Sequence, residues 1–168
     1  AALLSFVVAD VKFTSPTAGS SKAGLEITIQ WKDSGADPPI SALVTYQMFL
    51  CAGGNTDTSY IQLETLVQQV DFTTGDSVTA TITPGLGADV QNAYFIKVIS
   101  AATGGTIINF SGRFSLTSMT GVFPATVQAG LKTVSGTKGP ETVNQISSPQ
   151  NAAPGAGSVA AGAAEFNT

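Results

Sequence analysis

The feature that most constrains this chain is a run of period-two alternation broken by a glycine pair, AYFIKVISAATGGTIINFSGRFSLTSM at residues 93–119. Tyr94, Ile96 and Val98 alternate with Phe95, Lys97 and Ile99, as the two faces of a strand require. Thr103-Gly104-Gly105 supplies residues that accept positive φ at a tight turn. Ile108, Phe110, Phe114 and Leu116 return at even spacing, so the run predicts a β-hairpin. Tyr94, Ile96 and Val98 then share one core with Phe114 and Leu116. Ser111-Gly112 interrupts the return strand, where glycine marks a bulge or a close backbone approach.

The same rule finds the other strands. Val11 and Phe13 share one face of a short strand at residues 10–15. Leu25, Ile27, Ile29 and Trp31 alternate with Glu26, Thr28, Gln30 and Lys32, which puts Trp31 in a core and not on a ligand platform. Residues 43–50 are apolar on both faces and predict a central strand. Residues 60–70 mix two periods. Ile61 and Leu63 read as strand, while Leu63, Leu66, Val67 and Val70 stand at helical spacing, so a strand followed by a short helical turn is expected. Val78, Ala80 and Ile82 give a further strand, stopped at Pro84-Gly85. About seven short strands with turn signals between them predict an all-β, immunoglobulin/fibronectin-III-like antiparallel β-sandwich over residues 10–121.

The two ends read differently. Residues 1–9 are apolar and uncharged, too short to span a bilayer, and end in small residues. They read as the remnant of a secretory signal peptide, with an N-terminal strand as the alternative. As a strand, residues 3–8 would add to a neighbour's sheet edge and give a head-to-tail homo-oligomer. Residues 122–168 are rich in Gly, Ala, Ser, Pro and Thr and are expected to form a low-complexity linker or stalk. Phe123-Pro124 and Val127 remain able to dock on the sandwich.

Charge and composition narrow the function. Only 11% of residues are charged and the net charge is −4, so there is no basic footprint for nucleic acid and no polybasic patch for anionic lipid. The chain has no histidine, which removes Ser-His-Asp triads, histidine acid–base chemistry and histidine-ligated metals. Nothing singles out two of the eleven Asp and Glu as a glycoside-cleaving pair. No catalytic, cofactor-binding or metal-binding residue is therefore nominated, and the chain is expected not to be an enzyme and to need no cofactor. Asp33 and Asp37 flank a loop without a full calcium ligand set and read as a solvated turn. Cys51, the single cysteine, reads as a buried, inert thiol.

Several short segments carry a resemblance. They are Asp10-Val11 with Ser15-Pro16, Trp31-Lys32-Asp33-Ser34-Gly35-Ala36 with Pro38-Pro39, and Phe49-Leu50-Cys51-Ala52-Gly53 with Asn55. Tyr94-Phe95-Ile96-Lys97-Val98 and Arg113-Phe114-Ser115-Leu116-Thr117-Ser118-Met119 with Gly121 complete the set. In this order they resemble the N-terminal immunoglobulin-like domain of the fungal KNH-like, killer-toxin-resistance family, whose members act in assembly of cell-wall β-1,6-glucan. The resemblance implies a secreted domain at the cell wall or cell surface, with β-glucan or other surface proteins as partners. Short members carry a Ser/Thr/Ala-rich stalk and a glycosylphosphatidylinositol signal, and residues from Ser135 onward are similar to that stalk. Membrane attachment would then run through a lipid anchor beyond this chain. Members often have a second cysteine soon after the position of Cys51; residues 55–62 hold none here.

The candidate contacts are few. Asn109-Phe110-Ser111 is an N-glycosylation sequon, used where it is exposed in the secretory pathway. Tyr60 and Phe95 are the candidate sugar-stacking aromatics by parity. Arg113, the sole arginine, is expected to face outward or lie at a sheet edge. It would pair there with Asp33 or Asp71, or contact a glycan or protein partner. Two functions follow: a cell-wall polysaccharide-binding or assembly module, or a structural surface protein using Phe95, Ile99 and a sheet edge as an interface.

Overall fold

The computed structural model describes residues 11–22, 26–35 and 39–146. The expectations for residues 1–9, for Leu25 and Asp37, and for the tail from 147 onward lie outside the described residues.

Two antiparallel sheets enclose the core. The first holds β1 (Val11–Ser15), β3 (Glu26–Asp33) and β6 (Ser77–Thr81) in the order β1-β3-β6. The second holds β4 (Leu43–Gly53), β5 (Tyr60–Asp71), β7 (Tyr94–Ala102), β8 (Gly105–Phe110) and β10 (Val143–Asn144), in the order β10-β8-β7-β4-β5. A short parallel pair, β2 (Ser21–Lys22) with β9 (Ser115–Leu116), ties the entry of the chain to the end of the hairpin. This is the expected immunoglobulin-like sandwich. Ile27, Ile29 and Trp31 from the first sheet meet Met48, Leu50, Tyr94, Ile96, Val98 and Phe114 from the second in one buried cluster. Trp31 is buried edge-on against Tyr46, with ring centroids 5.1 Å apart.

β4 sits between β5 and β7, and from Met48 to Gly53 both its faces are buried, as the apolar second half of the strand requires. Met48, Leu50 and Ala52 enter the main core, while Phe49 and Cys51 join Phe95 in a second cluster. Burial pushes the Cys51 thiol up from 9.0 to about 12. A thiol reagent at pH 9 is therefore expected to label an unfolded chain at once and the native chain only at the rate of opening. Fast labelling of native protein would place Cys51 at the surface. The sign on stability follows: a protonated native thiol against an ionising unfolded one makes this contribution fall as pH rises from 9.0 towards about 12.

The expected helical turn after residue 63 does not form. β5 runs unbroken from Tyr60 to Asp71, and its pairing with β4 shifts register three times, each with one additional residue on β5. Each bulge resets which face a side chain occupies, so Leu63, Leu66, Val67 and Val70 all reach the core although their spacing is not two. The bulges also twist an edge strand of twelve residues away from flat pairing with another chain.

The larger correction concerns residues 122–146, which are not a free stalk. Pro124 opens the helix α1 (Ala125–Leu131), and Phe123 and Val127 are buried in the main core. Beyond α1 the chain runs back along the open edge of the hairpin. The Arg113 amide donates to the Thr137 carbonyl (2.7 Å), and a side chain at Gly139 would run into the Ser111 carbonyl. β10 then pairs antiparallel with Ile107 and Ile108 of β8, the Gln145 amide donates to the Thr106 carbonyl (2.9 Å), and Ile146 packs on the core. This strap over residues 137–146 is held mainly by backbone groups, which is why its small and polar composition hid it.

Candidate functional site

Of the four residues nominated by sequence, Tyr60 and Phe95 lie on the outer face of the second sheet, Arg113 stacks on Phe95, and Asn109 lies on the core side; Phe95, Arg113 and Asn109 are buried. Phe95 is fully buried. It packs edge-on against Tyr60 (centroids 5.2 Å) and Phe110 (5.8 Å). It therefore offers no face to a sugar and no anchor to a protein interface with Ile99, which is itself packed against this cluster. Tyr60 is half-buried at the rim, with the Lys97 ammonium 5.4 Å from its ring centre.

Arg113 does not face solvent: its exposure is 0%. The guanidinium lies 5.1 Å from the Phe95 ring centre and meets neither Asp33 nor Asp71. Its Nε donates to the Lys138 carbonyl (3.1 Å), one terminal nitrogen to the Asn92 carbonyl (3.3 Å) and the other to Asn55 Oδ1 (2.7 Å). Desolvation lowers its pKa to about 10, so the group stays charged at neutral pH. The planar fork thus ties the strap to two loops of the second sheet. The quoted motifs share this character. Gly53 has a φ of +130° and no room for a side chain beside Ser59, and Asp33 accepts the Gly35 and Ile40 amides (2.8 and 2.9 Å), which hold its carboxyl below the usual range. The Met119 amide donates to Asp89 (2.8 Å). These residues build the fold; they are not grouped around a reacting centre.

Asn109 is 2% exposed, on the core side of β8. One end of its carboxamide donates to the Thr142 hydroxyl of the strap (3.1 Å), and the other end, Oδ1, has no partner. The nitrogen that would carry an N-glycan is enclosed and engaged. A chain secreted from a eukaryotic host is accordingly expected to show no mass change at Asn109 on enzymatic N-deglycosylation; a glycan found there would mean the strap is not seated in the secreted form.

The structure does assemble a cleft that no sequence pattern announces. Where the strap leaves β8, the edge of the second sheet faces β1 of the first across a gap of about 320 Å³. That volume lies at the lower end of ligand pockets. Phe13 supplies aromatic surface, Lys12, Ser34 and Thr142 supply polar groups, and Asn109 forms part of the wall, while the Phe110 ring packs with Phe95 and Tyr60 on the other face of β8. Among the described lining residues, Lys12 is the one titratable side chain. Hydroxyl, amide and aromatic groups suit a neutral ligand with many hydroxyls better than acid–base chemistry, which needs paired titratable groups. Only Asn109 was foreseen, and for a different reason. The others come from three distant parts of the chain, so no local spacing could have joined them.

The comparisons with known proteins agree with the fold. Residues 15–116 match the Kre9/KNH-like N-terminal Ig-like domain. The cell wall synthesis protein KRE9 of Saccharomyces cerevisiae is 33% identical over 136 residues, covering 76% of this chain and 49% of that protein. The Candida albicans protein of the same name is 36% identical over 122 residues, covering 68% and 44%, and that of Candida glabrata is 26% identical over 127 residues, covering 71% and 46%. The chain thus spans about half the length of the curated relatives it matches. No solved structure matches it. A sandwich of this topology, the ordered motifs that build it and a family match over most of its strands lead to one conclusion: the chain belongs to the Kre9/KNH-like family through its N-terminal Ig-like domain.

Proposed function

We propose that this chain is a non-catalytic module of the fungal cell wall, secreted to the cell surface, that binds β-glucan and helps assemble it. The observation that carries the reading is the cleft between β1 and β8, whose described lining combines the aromatic Phe13 with hydroxyl and amide groups and holds Lys12 as its titratable side chain. Sugar recognition uses this mixture, an apolar ring face for the C–H surface and polar groups for the hydroxyls. The names of the relatives, cell wall synthesis proteins, supply the setting. A surface role through protein–protein contact has weaker support, because among the described residues the large exposed apolar side chains Val44, Val90, Val122 and Val143 belong to separate elements and loops.

The test is retention on insoluble polysaccharide. The native chain is expected to sediment with β-1,6-glucan, to a lesser degree with β-1,3-glucan, and to stay in solution with chitin. Equal recovery in the supernatant from all three would overturn the reading.

A further inference from the structure

Among the described residues of the cleft wall, Asn109 is the strand side chain whose hydrogen bonding is half finished. It is 2% exposed, bonded at one end to Thr142, and unpartnered at the other. A buried amide left in this state weakens the fold, and apolar residues of similar size would serve the sheet better. Its neighbours on the same face, Ile107 and Ser111, show that the position does not itself demand an amide: one is core and the other bonds the Ile96 amide through its hydroxyl. The free end is buried beside the bonded one, and the partner of the bonded end, Thr142, is a half-buried residue of a strap whose next two residues, Val143 and Asn144, are exposed.

We propose that Asn109 is the specificity-determining residue of this cleft, and that two neighbouring saccharide hydroxyls, one accepting from Nδ2 in place of Thr142 and one donating to Oδ1, complete its hydrogen bonding when the Thr142 side chain swings aside. The inference rests on the reading of the cleft as a glucan site and names the group that reads the sugar. A hydroxyl both donates and accepts, so it satisfies the carboxamide in either orientation of the amide. A carboxylate or phosphate could do so only at the nitrogen. The ligand class is therefore a neutral polyol, one sugar unit of a chain lying against Phe13 and Asn109, with the exposed Lys12 beside it. Thr142 acts as a latch that competes with the ligand for the same amide.

The latch predicts opposite effects from two neighbouring substitutions, which a purely structural pair would not give. The probe is a soluble β-1,6-linked gluco-oligosaccharide, titrated into the full chain with backbone and side-chain amide resonances recorded. Saturable shifts are expected at Asn109, Gly112 and Phe13. Thr142→Ala should bind the probe several-fold more tightly, because the competitor is gone. Asn109→Leu should bind it about tenfold more weakly, the loss of one net hydrogen bond, while melting no lower than the native chain. Asn109→Ser provides a second, smaller replacement should leucine not fit. If native protein is retained by β-1,6-glucan and Asn109→Leu and Asn109→Ser are retained equally, Asn109 does not read the ligand and only this inference falls. If Thr142→Ala and Asn109→Leu both weaken binding and both lower the melting temperature, the pair is structural and the inference again falls alone. If the native chain neither shifts with the probe nor sediments with any glucan, the functional reading falls and takes this one with it.

Discussion

A chain ending at Gly121 is expected not to fold cooperatively, whereas one ending at Ile146 should melt as the full chain does. The shorter chain keeps every strand of the hairpin and the entire family match over residues 15–116. It loses Phe123 and Val127, both buried in the main core, each contributing about 1.5–3 kcal/mol by transfer from water. It also loses the strap, which leaves the edge of β8 open from Gly105 to Arg113 and strips Arg113 of the Lys138 carbonyl. Together these exceed about 5 kcal/mol, the lower bound of a small domain's whole stability. An open edge of this length also invites pairing with a second chain. Thermal unfolding and light scattering of the two truncations decide the matter. A chain ending at Gly121 that stays monomeric and melts with the native profile would show that α1 and the strap are passengers.

The strands were legible in the sequence wherever alternation was strict. β3, β4 and β7 bury or expose their side chains largely as parity predicts, and Trp31 lies in the core that its spacing implies; β8 is reversed, with Ile107 and Asn109 inward and Phe110 in the outer cluster, because the chain changes face at Ser111-Gly112 before Phe114. Legibility failed where a physical device overrides spacing. Three bulges in β5 turned a strand into a helix-like pattern. Phe95 shares the outward parity of a two-layer sandwich, yet it is buried because Tyr60, Phe110 and the Arg113 guanidinium close over it from other parts of the chain. The strap failed for the opposite reason. Its glycines and hydroxyl residues have no periodicity, because what holds them is the backbone of an edge strand and one arginine. A trace of it was present: a lone arginine in an inward-facing strand must find acceptors, and the nearby sequence offers no carboxylate for it.

That arginine gives the sharpest measurement of how the domain is closed. Replacing Arg113 by methionine keeps most of its volume and its packing on Phe95 but leaves the Lys138 and Asn92 carbonyls and Asn55 Oδ1 without their donor. Asn55 also donates to the Lys138 carbonyl (3.3 Å), which keeps that acceptor partly satisfied. A fully buried acceptor left unpaired costs about 1–3 kcal/mol and these three are only part-buried, so the variant is expected to lose about 1–3 kcal/mol. Against this stands the relief of removing a charge whose burial already lowers its pKa to about 10. The sign is fixed by comparison with Arg113→Lys. Lysine keeps the charge and three donors but lacks the planar fork, so it cannot reach three acceptors in divergent directions. If hydrogen bonding to the strap dominates, stability should fall in the order native, Arg113→Lys, Arg113→Met. Amide exchange should also accelerate at Gln145 and at Arg113 itself, whose backbone amides are bonded across the strap. If desolvation dominates, Arg113→Met should be the more stable of the two variants and strap exchange should stay slow. Denaturant unfolding with exchange rates on the same three proteins separates these outcomes, and the second would mean that the strap is held by β10 and Ile146 without help from Arg113.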